Sequence, residues 1–276
     1  MFARLKGFFA KPSAAEAADR TAGGQTVGEA LARAQALAAD GDFAAALAIW
    51  GPLAHAGVPR AQNNVGACFA EGLGVEADGA LAQRWLTLAA EAGDAVAQRN
   101  LASLFFKGEH VDRDDQSAVR WYRAAAEQGD AEAQHMLSWM LLEGESLPAD
   151  PAEARRYAEL AAAQGVATAM TRLGMLFHNA LGVERDPSQA ALWWSKAAAL
   201  GEPDAQAMLG AAYHLGQGVN RDPLTAMTWL LRARAGLSPL ADPFYAAVRS
   251  SLTAAEFAEA DRRSRAPLPG PNGAAA

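Results

Sequence analysis

The chain of 276 residues has a single cysteine, Cys68, so no disulfide can form within it. A lone thiol excludes the stapled scaffold of small secreted domains and fits a reducing compartment. Strand-like alternation of β-branched residues is absent, which argues against a sheet. No segment approaches the ~20 apolar residues of a membrane span. A secretory leader needs an uninterrupted apolar stretch of roughly 7–15 residues, and Arg4, Lys6 and Lys11 interrupt the first candidate. The expectation is therefore a cytoplasmic chain. Excess positive charge is also missing. The net charge of −7 repels phosphate backbones and excludes general nucleic-acid binding, and the cluster Arg262, Arg263 and Arg265 is too small to reverse it. Finally, no Walker motif, Gly-x-Ser-x-Gly elbow, His-Glu-x-x-His or Cys-x-x-Cys occurs, so no cofactor, metal or catalytic residue is assigned.

What the chain does have is self-similarity. Gly93-Asp94-Ala95-Val96-Ala97-Gln98 returns as Gly129-Asp130-Ala131-Glu132-Ala133-Gln134, with looser copies at Gly57, Gly165 and Gly201. The step is always 36 residues. A second ladder runs Trp85, Trp121, Tyr157, Trp193 and Trp229, and a third runs Asp78, Asp114, Asp150, Asp186 and Asp222. Three ladders in register specify stacked repeats sharing one continuous core. Hydrophobic residues make up 51% of the chain and alanine dominates. Alanine favours helix and lets helices approach closely, so the fold class is all-α.

Residues 1–25 read as a tail and linker, with a basic apolar segment over 1–11 that could rest on an anionic membrane. Residues 26–56 read as a degenerate capping hairpin. Ala30, Leu31, Ala34, Leu37 and Ala38 mark one helix, and Ala46, Leu47, Ile49, Trp50 and Leu53 the other. Residues 57–236 hold five repeats of two helices each. Gly72, Gly108, Gly144 and Gly216 end first helices in the left-handed conformation. Ala180 takes that place in the fourth repeat, which predicts a different turn. Asp150-Pro151, Asp186-Pro187 and Asp222-Pro223 pair an N-cap carboxylate with proline at the first helical position, and Asp150 with Glu153 suggests a capping box. Residues 237–265 form a C-terminal cap. There Asp242-Pro243 is a helix start and Thr253-Ala254-Ala255-Glu256 a capping box. Residues 266–276 are a disordered tail.

The pattern Ala205, Leu209-Gly210, Tyr213, Gly216-Gln217-Gly218-Val219, Asp222, Ala226, Trp229 and Ala233 resembles the Sel-like repeat family, relatives of tetratricopeptide repeats. The resemblance covers roughly residues 57–236. Ala102 and Ser138 replace the Leu-Gly glycine, and Glu145-Ser146-Leu147 departs most from the turn. The resemblance implies a right-handed superhelical solenoid of antiparallel helix pairs. It also implies a non-enzymatic adaptor or scaffold, often in bacterial signalling. Some secreted, cysteine-rich relatives have been linked to β-lactamase activity; their disulfide framework is absent here, which disfavours a hydrolase.

Motifs that mimic chemistry have plainer readings. Gly72-Leu73-Gly74-Val75-Glu76-Ala77 matches a dinucleotide fingerprint but follows a helix instead of a strand. Asp112, Asp114 and Asp115 resemble a calcium loop, yet Ser117 and Arg123 stand where such a loop needs Gly at position 6 and Glu at position 12. His178 and His214 are one repeat apart, too far to share a metal. In solenoids of this kind the first helices line the concave face. The groove candidates there are Asn63, Arg99, Phe106, His135, Trp139, Leu142, Met175, His178 and His214. Trp139 has small or flexible counterparts in other repeats. It is either a groove anchor or additional core. The expected partner is a peptide or helix of another protein.

Overall fold

The computed structural model describes residues 26–268. Every long element among them is a helix. The first twelve helices are 13 residues each: α1 (Val27–Ala39), α2 (Phe43–His55), α3 (Pro59–Glu71), α4 (Gly79–Glu91), α5 (Ala95–Lys107), α6 (Asp115–Glu127), α7 (Ala131–Glu143), α8 (Pro151–Ala163), α9 (Ala167–Asn179), α10 (Pro187–Ala199), α11 (Pro203–Leu215) and α12 (Pro223–Ala235). A 3₁₀ turn (Pro239–Ala241), α13 (Asp242–Ser250) and α14 (Ala254–Arg265) follow. The tail, the basic N-terminal segment and most of the C-terminal tail lie outside the described residues. By its contacts the chain divides into two compact units after Asp130. Inside each unit, helices pack against their chain neighbours, the all-helical pattern of a Sel-like repeat solenoid.

The aspartate ladder does what its chemistry dictates. Asp78, Asp114, Asp150, Asp186 and Asp222 all cap second helices, accepting backbone N–H groups two or three residues on. Each cap contributes about 1 kcal/mol. Thr253 and Glu256 form the expected reciprocal box, and Thr26 and Glu29 form another at the start of α1. Asp242-Pro243 does start a helix, yet Asp242 lacks the N-cap role of the other Asp-Pro pairs. It is the first helical residue of α13, capped by no side chain, and its carboxylate pairs with Arg234 at 3.2 Å. Ala180 is a second departure. It adopts φ 56°, ψ 40°, the left-handed geometry that Gly72 adopts at the same place. The Leu181 N–H still reaches Leu176 O at 3.0 Å, as Leu73 N–H reaches Cys68 O. The repeat's hydrogen bonds outweigh alanine's preference, at a cost of about 1 kcal/mol.

The glutamine of the recurring Ala-Gln pair is buried and structural. Gln62, Gln98 and Gln206 donate Nε2 to Ala54 O, Ala90 O and Ala198 O at 3.2, 3.1 and 3.2 Å. Those carbonyls also accept from Gly57, Gly93 and Gly201, so both lone pairs are used where a second helix hands over to the next first helix. Gln128 and Gln164 donate in turn to Gln98 Oε1 and Gln134 Oε1 at 2.8 and 2.9 Å.

Size complementarity fixes how the two helices of a repeat meet. Gly66, Gly174 and Gly210 on first helices face Leu86, Trp194 and Leu230 on second helices, and a Cβ on any of the three would press into that side chain. The Trp194 indole lies flat enough on α9 to donate Nε1–H to Thr171 O at 3.3 Å. Interiors packed this tightly do not absorb a methyl without backbone shifts. In the first unit the core gathers Trp50, Val65, Trp85, Leu86 and Leu101. In the second it gathers Leu173, Leu176, Trp194 and Leu209, then Met227, Leu230 and Val248 under the C-terminal helices.

The expected aromatic ladder is structural but only partly enclosed. Trp85 and Tyr157 are buried, whereas Trp121, Trp193 and Trp229 are half-buried. Cations lie over ring faces: Arg120 over Trp121, Arg156 over Tyr157, Lys196 over Trp193 and Arg232 over Trp229. Such contacts add about 0.5–1 kcal/mol each at exposed sites.

Candidate functional site

The residues expected to form a groove fall on first helices of both units. In the first unit, α3 carries Asn63 and α5 carries Arg99 and Phe106. Asn63 is buried, with 3% exposure. Its Nδ2 donates to Asn64 Oδ1 at 3.1 Å and its Oδ1 accepts from Asn100 Nδ2 at 2.9 Å. This corrects the reading of Asn63 as a partner contact: the amide is an internal rung with almost no surface to offer. Arg99 is half-buried and binds both oxygens of Asp130 through one Nη, at 3.0 and 3.3 Å. Its charge is already matched. Phe106 is half-buried beneath the Arg113 guanidinium, 5.1 Å from the ring centre. Between α3 and α5 opens a cavity of about 150 Å³ lined by Ala67, Ala70, Asn100, Ser103 and Leu104. The Lys107–Glu71 pair, 3.3 Å, also borders it.

In the second unit, α7 carries His135, Trp139 and Leu142, α9 carries Met175 and His178, and α11 carries His214. Met175 is 43% exposed. Trp139 is half-buried, and Leu142 is half-buried against the core around Leu173. The histidines are half-buried, and Nδ1 of His135, His178 and His214 is sealed from water without a hydrogen-bond partner. Burial, then repulsion by Arg172, pushes His135 down to about 4. Burial and then Arg185 lower His178 as well, and its ring lies 5.4 Å from that of Trp194. Both effects penalise the imidazolium.

Two features escaped the sequence reading. Arg172 is one; burial pulls it down to about 10, and Glu143 only partly offsets this. The position one repeat earlier is uninformative on sight, because Met136 stands there. The other is an apolar recess of about 250 Å³ between second helices, lined by Ala44, Leu47, Ala48, Gly51, Leu81 and Trp85, with His55 edge-on to Trp85. The register held the signal. Ala48 and Gly51 occupy places where the next repeat has Arg84 and Thr87.

Cys68 is buried, and desolvation raises its thiol to about 11, so thiolate chemistry is suppressed at neutral pH. Among the described residues, no group of three or more His, Cys, Asp or Glu side chains is placed to hold a metal. Within them no helix is long and apolar enough to cross a membrane.

Comparison with known proteins agrees with this architecture. The Sel1 repeat family model matches residues 59–94, 95–130, 131–166, 167–202 and 203–235. A Sel1 repeat protein from Oxalobacter formigenes is 29% identical, with a TM-score of 0.69 over 74% of this chain and 84% of that one. A protective antigen present in uropathogenic Escherichia coli strains, displaying the same repeat fold, is 26% identical with a TM-score of 0.71. The match covers 85% of this chain but 56% of the antigen's length. No curated protein matches significantly. Repeats of this type generally serve as scaffolds for protein–protein interaction and are generally non-enzymatic. With matched repeats running unbroken from residue 59 to 235, and capped helix pairs of constant length throughout them, the chain belongs to the Sel1 repeat family.

Proposed function

We propose that the protein is a non-enzymatic adaptor whose first helices present a groove to a peptide or helix of a partner protein. The observation that carries this reading is the second unit's first-helix surface. Met175 is exposed there, and Trp139, one repeat earlier, is half-buried. An exposed methionine is an adaptable apolar contact, and aromatic anchors concentrate binding energy. The half-open cavity between α3 and α5 supports the same use of first helices in the first unit. A cytoplasmic role in complex assembly fits the single cysteine and the acidic charge.

The test compares partner capture by the full chain with capture by Met175→Glu and Trp139→Ala. A groove on this face predicts at least about tenfold weaker capture by Met175→Glu, since one desolvated hot-spot contact is worth about 1.4 kcal/mol or more. Circular dichroism verifies the fold of each variant. Undiminished capture by both folded variants would rule this face out.

A further inference from the structure

Arginines near the starts of first helices are neutralised from within the chain. Arg60 meets Asp94 at 3.1 Å and Arg99 meets Asp130 at 3.0 Å. The place held by those carboxylates recurs every 36 residues as Asp94, Asp130, Val166 and Glu202. Glu202 is fully committed: it caps α11 through the Asp204 and Ala205 N–H groups and accepts the Thr171 hydroxyl at 2.7 Å. At Val166 the carboxylate is missing, and α9 starts without a side-chain cap.

The cationic groups on that side of the repeat did not disappear with it. His135 stands one repeat after Arg99, and Arg172 lies close enough to His135 to repel its proton. Neither has a hydrogen bond or ion pair among the described residues. Arg172 Nε and His135 Nδ1 are sealed from water, while the terminal guanidinium nitrogens and His135 Nε2 are not. A guanidinium in a desolvated setting, with no carboxylate at ion-pair distance and only partial compensation from Glu143, is costly to keep and attractive to an anion. Apolar side chains flank it. Met175 is one turn beyond Arg172 on α9, and Trp139 is one turn beyond His135 on α7.

We propose that the Arg172 and His135 side chains, on α9 and α7, receive an acidic side chain of a protein partner, seated beside an apolar residue of the same partner. The assignment rests on the scaffold reading above and supplies its recognition chemistry. Arg172 carries one full positive charge, His135 is neutral at neutral pH, and Glu143 lies nearby. That balance suits the monoanionic carboxylate of a polypeptide better than a dianionic phosphate. The apolar flanks favour a polypeptide too.

The test uses the full chain and two capped dipeptides, acetyl-Leu-Glu-amide and acetyl-Leu-Gln-amide, which differ in one charge. Arginine and histidine side-chain NMR signals are followed during titration. The Glu peptide is expected to shift the Arg172 signals and raise the His135 titration midpoint, with the Gln peptide at least about tenfold weaker. Arg172→Met should abolish the difference between the peptides. Val166→Asp should restore the carboxylate from within, exclude the Glu peptide and raise the melting temperature. This second variant keeps the test decisive if Arg172→Met fails to fold. Equal binding of the two peptides, full Glu-peptide binding by Val166→Asp, or stronger perturbation of Arg172 by inorganic phosphate would each overturn the proposal. Failure of the scaffold reading looks different: the wild-type chain then captures no partner. Failure of this site alone leaves capture intact in Arg172→Met.

Discussion

Along their first helices, residues 26–130 pair polar side chains with one another, whereas residues 131–268 leave several without partners. In the first unit Asn100 donates to Asn63, Asn63 to Asn64, and Arg60 and Arg99 meet Asp94 and Asp130. In the second unit His135 and Arg172 lack hydrogen bonds, and the Ser138 hydroxyl is buried without one. The apolar frame is the same in both. The difference shows that a 36-residue repeat dictates where small and large side chains go, but leaves polar pairing to be settled locally. An unsatisfied buried polar group costs about 1–3 kcal/mol, so the second unit carries more of this burden than the first, where Trp50 Nε1 is such an atom.

Three measurements would break or sharpen this comparison. The largest effect is expected where the frame tolerates least. Within each unit, the loop before a second helix lies against the start of the second helix one repeat earlier, and one partner in that contact is glycine. Gly218 faces Pro187, but His110 faces Gly79, and a Cβ on Gly218 or Gly79 would overlap the opposing backbone. Gly79→Ala should therefore destabilise by about 3 kcal/mol, at the upper end for overpacking, measured by chemical denaturation. A loss below 1 kcal/mol would show that the contact yields.

The second effect separates the two units by acidity. His135 falls from an ordinary value near 6.5 to about 4 on folding. Above pH 6.5 it is neutral folded and unfolded, so it has no influence. Between pH 6.5 and 4 the unfolded chain binds a proton that the folded chain refuses, and stability falls as pH falls. With allowance for solvent screening, the loss on going to pH 4.5 is about 2 kcal/mol. His178 shifts in the same direction. The counterparts of His135 in the first unit are Asn63 and Arg99, neither of them a histidine. Segment-resolved hydrogen exchange, corrected for intrinsic rates, should show residues 131–268 weakening first. His135→Asn should reduce the gap, and a uniform response would contradict the comparison.

The smallest effect concerns Ala180. Glycine reaches φ 56° without steric penalty, so Ala180→Gly should raise stability by about 0.5–1 kcal/mol. Gly72→Ala, at the same place in the first unit, should lower it by a similar amount. Thermal melts of both variants test the sign.

These particulars show how much the sequence discloses. The aspartate caps were legible because a carboxylate before proline has one dominant use at a helix start. The aromatic ladder was legible because identical side chains repeat. The row beside it is not: Leu86, Tyr122, Ala158, Trp194 and Leu230 share no chemistry, and only the fit of Leu86, Trp194 and Leu230 to Gly66, Gly174 and Gly210 reveals a pattern. Asn63 misled because an amide on a helix reads as surface until its partner one repeat on is known. Ala180 misled because intrinsic preference is a weak prior against a network of hydrogen bonds. Arg172 was overlooked because a charged side chain next to a groove looks ordinary. What sets it apart is a buried Nε without a partner and a charge that Glu143 compensates only in part.

The alternation between Gly79 and Gly218 has a consequence for how such chains grow. Within each unit, the joins between successive modules need a hollow, but either neighbour can supply it. A copy ending in a loop like that of His110 can follow only a predecessor that begins like α4; set behind one that opens with proline, it would collide. Modules of this array are therefore matched in pairs, as keys are to locks, and duplication or grafting succeeds only when both halves of a joint travel together.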